Sequence, residues 1–293
     1  MLEHLNAKPT PPSRVVVLGA RGFVGGASVR RLLSEGIEVL PLGRDDVDLV
    51  EGGAALYKHV RAEDTLIFVS AKAPCRDPSM LVENMRMAET VCRALEERAV
   101  NHVIYISSDA VYRDSAAPLN EDSCAEPGSI HGAMHLAREI ALKNSYGGPL
   151  AILRPSLLYG VADPHNGYGP NRFRRLAAEG ADIVLFGEGE ERRDHVLIDD
   201  VAEIVCRVVM HKSWGTLNIA TGAVASFREI AELVAAYFDP PPAIRMTERQ
   251  GPMPHGGYRA FDIRAGGAAF PDFRYSSLAE GLARVHEEAG EKG

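Results

Sequence analysis

Short apolar runs alternate with amphipathic stretches through the first half of the chain. Residues 14–18, Arg-Val-Val-Val-Leu, are rich in β-branched side chains and run into glycine, the pattern of a strand buried on both faces. Residues 22–36 place Phe23, Val24, Val29, Leu32 and Leu33 at helical spacing and stop at Gly36. Residues 37–42, 65–69, 102–106 and 150–153 repeat the strand pattern. Residues 80–99 and 130–144 repeat the helical one. Strands alternating with helices of this length predict an α/β fold with a doubly wound parallel sheet. Right-handed crossovers then bring the strand C-termini, and with them Ser70 and Ala71, to one ligand-binding edge.

Beyond about residue 158 the pattern loosens. Residues 159–170 have loop composition, and residues 163–169 read equally as a substrate loop or a surface turn. Residues 195–198, followed by Asp199, Asp200 and an Ala/Val-rich helix, read as one more unit of the sheet. Ser226 with Glu229 forms the signature of a capping box opening a helix over 226–238. Residues 240–257 are rich in Pro and Gly and predict a flexible segment. The expected division is a loose tail over 1–13 and a nucleotide-binding domain over 14–158, to which 190–220 return. A second, smaller and discontinuous substrate domain is expected over 159–189 and 221–293.

Composition narrows the class without choosing a reaction. The 293 residues are 46% hydrophobic and 25% charged, with a net charge of −8, as in an ordinary globular protein. No basic stripe supports nucleic-acid binding, and no apolar run is long enough for a membrane span. The four cysteines, at 75, 92, 124 and 206, form no CxxC pair, and the first dozen residues lack the apolar core of a signal peptide. A cytoplasmic protein with reduced thiols is the expectation.

The chemistry begins at Gly19-Ala20-Arg21-Gly22-Phe23-Val24-Gly25, directly after a strand and opening a helix. Glycines spaced in this way let backbone approach a pyrophosphate, and the helix N-terminus offers it free N–H groups. The second strand runs into Gly43 and Arg44, where an acid would normally meet the ribose of NAD. Arg21 and Arg44 suit a 2′-phosphate, so NADP is expected over NAD. Asp45 and Asp46 keep the NAD alternative open, and Asp48 and Leu49 are candidates for the adenine side.

With further motifs in order, the chain resembles the extended short-chain dehydrogenase/reductase family, the NAD-dependent epimerase/dehydratase group. These motifs are Asn84; Tyr105-Ile-Ser107-Ser108-Asp109-Ala-Val-Tyr112; Arg154-Pro155 with Tyr159-Gly160; Gly187 and Gly189 followed by Arg193-Asp194 and Asp199-Asp200; Asn218 to Gly222; and Ser226 with Glu229. The resemblance covers residues 14–287. It implies an oxidoreductase or epimerase acting on a small-molecule substrate, a sugar-like secondary alcohol or ketone, in many members a nucleotide sugar. It also implies a homodimer built on helices near 80–99 and 130–144. Ser108 matches the residue that polarises the substrate oxygen, and Arg193 matches the arginine that meets a sugar-nucleotide diphosphate. Tyr159 joins Arg193 as a substrate-side candidate. Asp109 resembles the proton donor of sugar dehydratases, but Ala110 stands where their glutamate would be.

The departure lies in residues 127–139. Gly132 and Glu139 hold the register of the family frame, in which Tyr-x-x-x-Lys carries proton transfer and grips the ribose. Here His131 and His135 stand in those two places. Three readings stand side by side. His131 itself is the acid/base, since imidazole titrates near neutrality. Alternatively, hydride transfer is lost and a cofactor-binding relative with a regulatory or scaffolding role remains. Or another residue, Tyr112, His165 or Tyr168, takes over. A metal at the histidine pair is not expected, because no H-E-x-x-H pattern or third ligand accompanies it. Cys124 has no base tied to it by sequence.

Overall fold

The computed structural model describes residues 2–52 and 56–290. In chain order the first half contains β1 (Glu3–His4), β2 (Val15–Leu18), α1 (Phe23–Ser34), β3 (Val39–Leu42), α2 (Leu56–His59), β4 (Thr65–Phe68), α3 (Pro78–Glu97), β5 (His102–Ile106), α4 (Ile130–Ser145) and β6 (Leu150–Pro155). The second half contains β7 (Leu157–Tyr159), α5 (Pro170–Ala178), β8 (Ile183–Phe186), β9 (Arg192–Leu197), α6 (Ile198–Met210), β10 (Ser213–Ile219), β11 (Val224–Ser226), α7 (Phe227–Ala235), β12 (Ile244–Thr247), β13 (Tyr258–Arg259), α8 (Arg264–Ala269) and α9 (Leu278–Gly290).

The main sheet runs β3-β2-β4-β5-β6-β10-β1, parallel throughout except for β1. Alternation along β2 shows why both faces need covering. Val15 and Val17 enter a core shared with α1 and α6, while Val16 and Leu18 enter one shared with α3 and α4. The doubly wound expectation is met. The helices begin where local chemistry allows: Asp77 caps α3 ahead of Pro78, Ser129 accepts the Gly132 N–H at the start of α4, and Ser226 with Glu229 forms a complete capping box on α7.

Three expectations are corrected. The first residues are not a loose tail: β1 pairs with Trp214 and Ser213 of β10, and the His4 ring bonds Ser213 Oγ and the Ala269 carbonyl. The strand over 195–198 does not join the main sheet. It is the end of β9, the centre of a second sheet with β7, β11 and β13, and it reaches the first through Val196 and through the helix that follows. Residues 240–257 are not a structureless segment, because β12 pairs with β8 there. A separate core of Phe173, Leu185, Phe227, Ile230 and Val285 holds this smaller unit together.

Candidate active site

A cavity of about 910 Å³ follows the C-terminal edge of the main sheet and continues under the smaller unit. At one end lies the glycine turn. Gly19 has φ +91°, and a Cβ there would sit 2.8 Å from the Ser70 nitrogen; one on Gly25 would sit 2.1 Å from the Gly19 carbonyl oxygen. Glycine is therefore required at both positions, for different reasons. Gly19, Gly22, Phe23 and Val24 line the cavity, whereas Gly25 lies beneath the turn and lets helix and strand close together. Gly22 caps α1 without a side-chain partner, leaving the first N–H groups of the helix to a ligand.

Arg21, Arg44, Asp48, Leu49, Ser70 and Ala71 also line the cavity. Arg21 lies against Gly43 and pairs with Asp45 and Asp46; Arg44 pairs with Asp48 at 3.0 Å. Asn84 does not reach the cavity. It is fully buried and clamps both backbone polar groups of Lys72 at 3.0 Å, fixing the strap that follows β4.

At the centre, β5 delivers Ser107 and Ser108. Ser107 donates to Glu139 at 2.6 Å, and Glu139 is held by Arg154 through both oxygens. Ser108 caps a short turn over Asp109–Val111 and lines the cavity. Asp109 also lines it, yet its carboxylate is committed to the buried Arg259 at 2.7 Å. It acts as a counter-ion, which argues against the dehydratase-like donor.

His131 and His135 both line the cavity, with ring centroids 4.8 Å apart and planes perpendicular. His131 Nδ1 accepts the Cys75 backbone N–H at 3.3 Å, so its neutral form carries hydrogen on Nε2. Burial lowers its pKa, opposed by Asp109. His135 is more deeply buried, its Nδ1 lies 2.7 Å from the Tyr105 hydroxyl, and burial keeps it well below the usual imidazole range.

The substrate end is formed by residues the sequence made ambiguous. Asp163, His165, Gly167 and Tyr168 line the cavity, so the loop over 163–169 is part of its wall. Arg193 points into it, backed by Glu191 at 3.2 Å. Tyr159 does not: it is fully buried in the core of the smaller unit. Tyr112 is likewise buried, bonded to Asn218 and Arg154, and does not line the cavity. His195 and His255 were not singled out from the sequence. Together with His131, His135 and His165 they put five of the ten histidines on one cavity. The His255 ring contacts Asp114, and Arg259 ties that pair to Asp109. Its place in a Pro/Gly-rich stretch concealed it. Among the described residues, no three His, Cys, Asp or Glu side chains are placed to hold a metal ion, and no helix is long and apolar enough to cross a membrane.

A family model described as NAD dependent epimerase/dehydratase matches residues 15–220. The chain belongs to that family. Its relatives include GDP-L-fucose synthase of Escherichia coli, 24% identical over 76% of this chain and 80% of that protein. UDP-glucose 4-epimerase of Mycolicibacterium smegmatis is 28% identical over 76% and 82%. Among solved structures, the UDP-glucose 4-epimerase of Thermus thermophilus in complex with NAD superimposes with a TM-score of 0.82 at 23% identity, covering 95% of this chain and 99% of that one. The hexosamine 5,6-dehydratase TunA gives 0.83 at 17% identity, covering 96% and 98%. As a member of the epimerase/dehydratase family, the chain shares an enzyme fold. What it sets at the centre of the cleft is a hydroxyl and two neutral imidazoles, groups suited to polarising an oxygen and handing on a proton.

Proposed function

We propose that this chain binds a nicotinamide dinucleotide along the glycine turn and reduces, oxidises or epimerises a sugar-like secondary alcohol or ketone carried on a nucleotide. One observation carries this reading: the glycine turn, Ser108, His131 and Arg193 all line one continuous cavity. The dinucleotide, when bound, supplies or accepts the hydride. Ser108 Oγ and His131 Nε2–H meet the substrate oxygen and stabilise charge that develops there. His131 shuttles the proton at Nε2, which requires Nδ1 to gain or lose a hydrogen. The long 3.3 Å contact from the Cys75 amide is weak enough to open for that. Arg193 meets the diphosphate, and the loop over 163–169 covers the sugar.

Arg21 against Gly43, with Arg44 beside it, supports NADP as the cofactor. Asp45 and Asp46 are exposed and Asp48 is half-buried beside an exposed Arg44; surface pairs contribute at most about 1 kcal/mol each, so a 2′-phosphate displaces them readily. NAD is the second reading, favoured by those same carboxylates and by the relatives solved with NAD. Calorimetry with both dinucleotides decides: Arg44→Ala is expected to weaken NADP roughly tenfold and to leave NAD unchanged, about the loss of one charged contact. Tighter NAD binding, insensitive to Arg44→Ala, refutes the NADP assignment. A relative that binds cofactor without turnover is favoured by the Cys75 contact, which holds His131 as a donor. It predicts dinucleotide binding with no hydride exchange on any nucleotide 4-keto sugar, whereas the enzymatic reading predicts turnover that His131→Ala abolishes.

A further inference from the structure

Arg138 is the largest fully buried side chain, with no exposed surface at all. The other buried arginines each have a carboxylate: Arg14 has Asp64, Arg154 has Glu139, Arg193 has Glu191 and Arg259 has Asp109. Among the described residues, Arg138 has none. Its Nη2 donates to the Ser70 carbonyl at 2.7 Å, its guanidinium lies 4.2 Å from the Phe68 ring centroid and 5.5 Å from that of Tyr105, and its Nε has no partner. Glu139, next in sequence, is turned toward Ser107 and Arg154. A buried cation held by aromatic faces, one carbonyl and the Met134 thioether at 3.9 Å is costly to keep. Packing alone would be served better by an apolar residue.

Its surroundings indicate what it does. Tyr105, one of the two rings it touches, bonds Nδ1 of His135, and His135 lines the cleft. A cation beside the phenol attracts the oxygen lone pairs and turns the O–H toward Nδ1. The remaining hydrogen of the imidazole then sits on Nε2, the ring nitrogen left to the cleft. We propose that Arg138 is a positioning residue: acting through Tyr105, it fixes the tautomer of His135 so that an Nε2–H donor is presented to the ribose of the bound dinucleotide. A lysine in the place of His135 would bring both a positive charge and a donor. Here the charge is set behind the wall on Arg138 and the donor is kept at the surface on His135.

The charged and titratable groups acting on His135 are His131 and Arg138 of its own helix and Tyr105 of β5. Burial opposes its protonation most, and the neighbouring His131 ring and the Arg138 cation act in the same direction.

Nitrogen-15 NMR of the histidine rings in the full chain tests this, with His135→Gln used to assign the signals. In the wild type, His135 is expected as the Nε2–H form alone, unchanged from pH 8 to 5.5. Arg138→Met is expected to give a mixture of both tautomers and about tenfold weaker dinucleotide binding, and Arg138→Lys to restore the single form. An unmixed Nε2–H signal in a folded Arg138→Met protein overturns the proposal. Should Arg138→Met fail to fold, Tyr105→Phe decides: loss of the single tautomer supports the relay, and its persistence overturns it. This inference rests on His135 facing the cofactor. If His135→Gln leaves dinucleotide affinity unchanged, that placement fails, while the NMR result still reports on Arg138 itself.

Discussion

Glu139 is the most exposed to test of the buried groups, because everything around it depends on its charge. Its side chain and that of Arg154 are 0% and 6% accessible. It accepts from Arg154 Nε at 2.9 Å, Arg154 Nη2 at 2.6 Å and Ser107 Oγ at 2.6 Å. Glu139→Gln keeps the volume, removes the charge and turns an amide N–H₂ toward a donor. The guanidinium of Arg154 is then left buried without compensation. Breaking one partner of such a pair costs about 3–5 kcal/mol. For a chain of this size each kcal/mol lowers Tm by about 2–4 °C, so a fall of roughly 10 °C is expected. Urea unfolding followed by circular dichroism gives the free energy directly. The pair Glu139→Leu with Arg154→Met leaves neither charge unpaired and is expected to be less damaging than Glu139→Gln alone, with a coupling of about 2 kcal/mol. A loss below about 1 kcal/mol for Glu139→Gln, or strict additivity in the cycle, refutes the idea that this ion pair holds α4 to β6.

Three further outcomes are expected. Burial lowers His102 to about 4 and His195 to about 3, both beneath the ordinary imidazole value of 6.5. Below pH 6.5 the unfolded chain therefore takes up protons that the native state refuses. Stability is present above that pH and is lost as pH falls toward 4, with these two rings contributing up to about 2.7 kcal/mol per pH unit; His195→Gln should reduce the slope by half that amount in denaturant titrations. Gly132→Ala would place a Cβ 1.9 Å from the Ala110 carbonyl oxygen, so a loss of about 3 kcal/mol is expected, accompanied by weaker dinucleotide binding as α4 is pushed from the Ser108 turn. Asn84→Ala removes the clamp on Lys72, whose strap lines the cavity, and should lower both melting temperature and cofactor affinity, the first followed by circular dichroism and the second by calorimetry.

The parallel sheet was legible because its signals are local. The first five parallel strands are short apolar runs that lead into glycine or serine, and α3, α4 and α7 carry their own side-chain caps. The glycine turn was legible for the same reason, since three glycines and a helix start lie within seven residues. Contacts between distant segments were not. Asn84 and Tyr159 matched family positions by sequence order, yet one closes a strap and the other fills a core. Arg259 lies 150 residues from Asp109, and nothing in either neighbourhood announces the pair. His255 was hidden by the Pro/Gly content around it. Arg138 was hidden by ordinary helical spacing, where a charged residue reads as solvent-facing until the fold buries it.

The first strand has a consequence for how the molecule behaves in a crowded solution. A parallel sheet leaves an unpaired row of peptide groups at each side, a template on which another chain can grow. Here β1 lies backwards across the rim at β10, and at the opposite rim Pro41 interrupts the row of donors on β3. Both margins are blunted by different means, one by a strand borrowed from the start of the chain and one by a residue with no N–H. Deleting residues 1–12 would uncover Ser213 and Trp214 and leave one margin open, so such a protein should keep its fold yet self-associate with rising concentration.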